Sequence, residues 1–144
     1  MGANNSIRGK DGTIINQLWS VTTDSEGIDR VIGGVKVVSN EYVKRKNDLP
    51  IEANTSEAYF KSDANGEIIQ LRVYDPITHK AIMDIDIGSS HGDDFPKGLA
   101  HIQEYKKGEK GKPKRVKGAR LMTDSEVEKW GPLIKLANPK VRFR

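Results

Sequence analysis

The sequence predicts an α+β fold: a mainly antiparallel sheet, a meander of about four strands, with flanking helices. Three observations predict it. Short runs rich in β-branched and aromatic residues follow one another from Ala58 to Tyr105, separated by turn residues. Between the first two runs stands Asn65-Gly66, a strong hairpin signal. After the last run, Thr123-Asp-Ser-Glu126 has the spacing of a capping box and announces a helix.

Taken in order, Met1 to Gly12 is polar and without periodicity. Thr13 to Val21 carries enough β-branched and aromatic residues to read as a strand, and Asp24-Ser-Glu-Gly27 as a turn. Val35 to Ser39 reads as a short strand after Gly33-Gly34. Asn40 to Asn47 reads as a helical turn that Pro50 ends. The meander then comprises Ala58–Lys61, Ile68–Tyr74, Ala81–Ile87 and Leu99–Tyr105, with Asp75-Pro76 opening the second turn and an irregular loop over Gly88–Gly98. The last helix is expected from Thr123 to Trp130, ended by Gly131-Pro132, with Val127 and Trp130 facing the sheet. Val141–Arg144 reads as a final short strand. The expectation is one domain over 1–144, with 58–144 holding the catalytic sheet and 1–57 an N-terminal portion of undefined role.

A length of 144 residues fits one domain and can bury a real core without disulfides or metal. The chain has no cysteine, which excludes disulfide scaffolds, Cys-based zinc sites and thiol nucleophiles. Aromatic residues make up only 6%, too few for a broad base-stacking platform. No apolar stretch is long enough to span a bilayer, and no signal peptide is visible in the polar first ten residues. The net charge of +4 is uneven. Lys106 to Arg120 holds eight Lys/Arg and one acid, or +7, leaving 4 − 7 = −3 for the rest. A basic strip on a neutral-to-acidic body suits a polyanion contact, and a solvated charged loop is the plainer alternative.

The most informative window is Asp84 to Tyr105, which holds His91 and His101 among Asp84, Asp86, Asp93, Asp94 and Glu104. Strand alternation puts Met83, Ile85 and Ile87 on one face, with Asp84 and Asp86 on the other. In the next strand His101, Gln103 and Tyr105 share a face, expected to be open and functional, while Glu104 points away. Two histidines beside a basic strip suit RNA transesterification. A neutral imidazole takes the 2′-OH proton, a protonated partner donates to the leaving 5′-oxygen, and a cation stabilises the phosphoryl oxygens. Lys97, Arg72 and Arg120 are the best-placed cations. Thr123 or Tyr105 can add a hydrogen bond to phosphate, and the helix start at Thr123 adds oriented N–H groups. Lys106, Lys107, Lys114, Arg115 and Lys117, with Arg72, are the expected substrate-binding cations.

Tyr74-Asp75, Asp84-Ile85-Asp86, His91-Gly92, Phe95-Pro96, His101-Ile-Gln-Glu-Tyr105, Arg120, Met122-Thr-Asp-Ser-Glu126 and Trp130-Gly131 together resemble the C-terminal toxin domains of bacterial polymorphic toxins, including those of contact-dependent growth inhibition. The resemblance covers Ser62 to Ile134. It implies a small ribonuclease-toxin-like fold of the barnase–EndoU–colicin–RelE-like group, working without a metal or other cofactor. It also implies delivery into the cytoplasm of target bacteria and a cognate immunity protein covering the site, with the chain a monomer when free. Where many such domains place a second histidine, this chain has Gln103. The acid/base pair is then His91 with His101, or His101 with a carboxylate or Tyr105.

The leading expectation is therefore a metal-independent endoribonuclease acting on RNA, tRNA being one candidate substrate. Two alternatives stand beside it. One is a metal-dependent nuclease using Asp84, Asp86, His91 and His101 with Glu104, although no established metal-ligand spacing is present. The other is a non-catalytic module that binds nucleic acid through the Lys106–Arg120 strip.

Overall fold

A computed structural model of the chain describes residues 6–8, 14–39, 57–63, 65–90 and 92–144, with the backbone alone for 6–8, 14–21 and 39. Among these residues the strands are β1 (Ser6–Arg8), β2 (Ile14–Val21), β3 (Val31–Ile32), β4 (Val35–Ser39), β5 (Ala58–Ser62), β6 (Ile68–Tyr74), β7 (Ala81–Asp86), β8 (His101–Lys107), β9 (Pro113–Arg115) and β10 (Arg120–Leu121). One α-helix follows, α1 (Asp124–Ala137). The sheet runs in the order β1-β2-β4-β5-β6-β7-β8-β10, with β3 paired to β4 and β9 to β8 off that path.

This mixed sheet with a single described helix corrects the expected four-strand meander with flanking helices. Strands β5 to β8 do follow one another as antiparallel neighbours. The sheet does not stop at β5, however. Its other edge is taken by β4 in parallel, Val37 facing Phe60 and Val38 facing Lys61. A parallel pair needs a long crossover, and residues 40–57 supply the length. Turn signals report hairpins between adjacent strands and are blind to such a pairing. The helical turn expected over 40–47 lies outside the described residues.

The β5–β6 turn shows how the local sequence closes the sheet. Asp63 Oδ1 accepts the backbone N–H groups of Asn65 and Glu67 at 2.9 and 3.0 Å. Gly66 takes φ +82°, a conformation that a side chain disfavours. At the far end of β7, Gly88 is required by contact: a Cβ there would sit 2.4 Å from Ile69 Cγ2. The bare backbone instead donates to Ile69 O at 3.0 Å and turns the chain into the loop before β8.

One face of the central strands is the core. Phe60, Leu71, Ile85 and Ile102 stand in register across β5–β8 and are fully buried. Val73, Ile87, Ala100 and Met122 join them, and α1 closes the layer with Trp130 and Ile134. The capping box at Thr123 is complete: Glu126 N–H donates to Thr123 Oγ1, and Thr123 N–H donates to Glu126 Oε1. The helix does not end at Gly131-Pro132 as expected but continues through Pro132 to Ala137. Pro132 removes the hydrogen bond to the carbonyl four residues back, that of Glu128. Both residues lie on the exposed side, where water can serve that carbonyl, while Trp130, Gly131 and Ile134 hold the buried side in place. The expected strand over 141–144 reduces to a single parallel bridge, Leu99 to Arg142.

Candidate functional site

The opposite face of the same strands is polar, and alternation puts it there. Registers across β5–β8 create two rows. Lys61, Gln70, Asp86 and His101 form one; Tyr59, Arg72, Asp84 and Gln103 form the next. Tyr105 follows on β8, and Arg115 of β9 pairs with it. The face expected to be open is instead buried. Arg72, Asp84 and His101 are 0% exposed, and Gln70, Asp86 and Gln103 are each below a tenth. The physical basis is mutual pairing, because buried charges persist only when partnered.

Asp84 is the centre of that pairing. Arg72 grips it with two parallel bonds, Nε to Oδ1 at 2.6 Å and Nη2 to Oδ2 at 2.9 Å. The Tyr105 hydroxyl donates to Asp84 Oδ2 at 2.7 Å and accepts from Arg72 Nη2 at 2.6 Å. Arg115 Nη2 reaches both Asp84 Oδ2 and the Tyr105 hydroxyl at 3.1 Å. Burial works against the Arg72 charge, but the bonds and charge of Asp84 outweigh it and hold the guanidinium above its ordinary value. For Tyr105, burial pushes the phenol up, the Arg72 charge opposes, Asp84 adds to the rise, and the result is about 12. Tyr105 therefore keeps its proton across the physiological range.

In the neighbouring row, Gln70 Nε2 donates to Asp86 Oδ1 at 2.6 Å. His101 Nδ1 lies 2.7 Å from the carbonyl oxygen of Leu99. A carbonyl can only accept, so Nδ1 carries a proton. Nε2 faces Asp86 Oδ2 at 4.0 Å. The ring of Phe95, from the 92–98 loop, lies against His101 with centroids 5.5 Å apart.

Other expected residues fall elsewhere. Arg120 stands opposite Ile102, on the core-side face. There it binds Glu104 at 2.8 Å and Glu126 at 2.7 and 3.0 Å, tying β8, β10 and α1 together. Thr123 is on the same side, its hydroxyl and N–H committed to the capping box. Lys97 is exposed on the loop before β8. His91 lies outside the described residues. The basic strip forms the β8–β9 hairpin and the segment after it. Lys107 and Arg115 alternate onto the polar face, Lys106 and Lys114 pair on the other, and Lys117 is exposed beyond β9. The structure thus brings His101, Tyr105, Arg72 and Arg115 onto one face and does not bring Arg120 or Thr123 to it.

Gln70 is the residue that sequence reasoning missed. Its signal was readable: Gln70 and Arg72 alternate with the apolar Leu71 and Val73, matching Asp84 and Asp86 on the following strand. Among the described residues no group of three or more His, Asp or Glu side chains is arranged to hold a metal ion. Both Asp84 oxygens are engaged by Arg72, Tyr105 and Arg115. Among the described residues no helix is long and apolar enough to cross a membrane. Comparison with family models, curated proteins and solved structures found no match for this chain.

Proposed function

We propose that the chain is a metal-independent endoribonuclease of the toxin class, cutting RNA, with tRNA one candidate, inside competing bacteria and held in check by an immunity protein. The observation that carries the reading is the single polar sheet face joining His101 and Asp86 to the Arg72–Asp84–Tyr105–Arg115 cluster and the cationic hairpin beyond. His101 Nε2 takes the ribose 2′-OH proton as the 2′-oxygen attacks phosphorus, the bond to the 5′-oxygen breaks, and the departing oxygen takes a proton from water; Asp86 stabilises the resulting imidazolium. Arg115, the more exposed of the two guanidiniums, meets the phosphate, with Lys107 beside it. Tyr105, whose one proton is given to Asp84, accepts from Arg72 and Arg115 and holds the two guanidiniums in place. His101 is fully buried, so reaching Nε2 requires the side chains that cover it to move.

The test is incubation of the pure protein with total RNA and with DNA, with and without EDTA. EDTA-resistant cutting of RNA that disappears in His101→Ala, with circular dichroism unchanged, is the expected result. Cutting only without EDTA moves the chemistry to a metal ion. Full activity in His101→Ala removes the proposed base. The complete burial of His101 favours a second reading, a nucleic-acid-binding module without catalysis. Salt-sensitive RNA binding with no cutting is its signature.

A further inference from the structure

The amide of Gln70 is oriented by its neighbour. Its nitrogen donates to Asp86 Oδ1 at 2.6 Å, and the reversed amide would press two acceptors together. Its oxygen must therefore point away from Asp86. That oxygen is buried and has no hydrogen-bond partner among the described residues. Buried polar atoms are almost always satisfied, so an orphan acceptor beside a candidate catalytic row marks a place for a donor from outside the chain.

Position and chemistry narrow the donor. Gln70, Asp86 and His101 occupy one row on three adjacent strands. Two strand spacings separate the outer pair, on the order of 10 Å, about the length of a nucleoside from base edge to sugar. Phe95, half-buried against His101, offers an aromatic ring at that end of the row. The place is rich in acceptors, Gln70 Oε1 and the Asp86 carboxylate. An exocyclic amino group carries two N–H donors and no acceptor. The ring N–H of uracil lies between two carbonyls, which such a place repels.

We propose that Gln70 is a specificity-determining residue whose side-chain oxygen accepts a hydrogen bond from the exocyclic amino group of a base, that of adenine, cytosine or guanine, and so discriminates against uracil. The proposal rests on the reading of this face as an RNA site, and it supplies that site with a base preference.

The test is fluorescence anisotropy with end-labelled oligomers of adenosine, cytidine and uridine, using the full chain at one fixed salt concentration. Adenosine or cytidine oligomers are expected to bind about tenfold tighter than uridine. Gln70→Leu is expected to bring the ratio to within about twofold. Should that variant not fold, replacing adenosine by the unaminated purine nucleoside in the oligomer tests the same bond with the natural protein, and the same loss is expected. Uridine bound as tightly as both others, or a preference that survives Gln70→Leu or loss of the amino group, overturns the proposal. A base preference without RNA cleavage sinks the ribonuclease and leaves the Gln70 assignment standing. Equal binding and cutting of all three does the reverse. No binding to any oligomer overturns both.

Discussion

Arg72 and Asp84 form a two-bonded ion pair, 2.6 and 2.9 Å, in which neither side chain touches water. They face each other across β6 and β7 on the side of the sheet away from the hydrophobic core. Each neutralises the cost of burying the other, so the pair has value only as a pair. Asp84→Ala should destabilise the protein by ~3–5 kcal/mol by stranding a buried guanidinium. The double variant Arg72→Met, Asp84→Leu should recover most of that loss. Urea unfolding midpoints decide it; a single variant within ~1 kcal/mol of the natural protein would show that the arginine escapes to solvent.

Acid titration should expose the second ion-pair network. Glu126 binds Arg120 and caps α1; its carboxyl is lowered to about 2, first by the Arg120 bonds, against burial, and then by the Thr123 N–H. A depressed folded-state value means the contribution is complete above the unfolded value of about 4.5 and is lost as pH falls toward 2. Relative to Glu126→Gln, the natural protein should lose stability between those limits. Parallel stability curves for the two proteins over that range would show that Glu126 is not preferentially ionised by the fold.

At alkaline pH the sign reverses. The Tyr105 hydroxyl is raised from 10 to about 12, so the fold favours its protonated form. That contribution is complete below pH 10 and is lost as pH rises toward 12. Tyr105→Phe should lose less stability than the natural protein in this window. Difference absorbance of the phenolate, natural protein minus variant, should show no ionisation of Tyr105 near pH 10; a transition there would contradict the buried hydrogen-bonded phenol.

Arg115 is the guanidinium of the cluster with substantial exposure, 37% against 0% for Arg72. If it meets phosphate, Arg115→Ala should weaken RNA binding for every sequence and reduce the slope of log K against log salt by about 1. Arg120→Ala serves as the control. It removes an equal charge from the opposite face and should leave the slope nearly unchanged while lowering the thermal midpoint. Equal slope changes in both variants would mean that the two faces contribute alike.

Several features were legible because they depend on neighbours along the chain. Alternation alone put Asp84 and Asp86 opposite the core, aligned His101 with Tyr105, and turned Glu104 the other way. The capping box of Thr123 and Glu126 was equally local. Arg120 was misjudged for the opposite reason. Its closeness in sequence to the basic strip says nothing of the face it occupies, and its register against Ile102 sends it to Glu104 and Glu126. Pro132 was read as a helix stop because its local cost is real. The packing of Trp130 and Ile134 on the core outweighs it.

The sequence by itself determined the strands from Ala58 to Tyr105, the two-faced character of the sheet and the start of the helix, because periodicity and capping act within a few residues. Only the tertiary structure decided that β4 joins β5 in parallel across residues 40–57, and that the polar face is buried rather than open. Both outcomes turn on contacts between distant segments. The burial of Arg72 and Asp84 is tolerable only once partners from other strands have arrived to satisfy them.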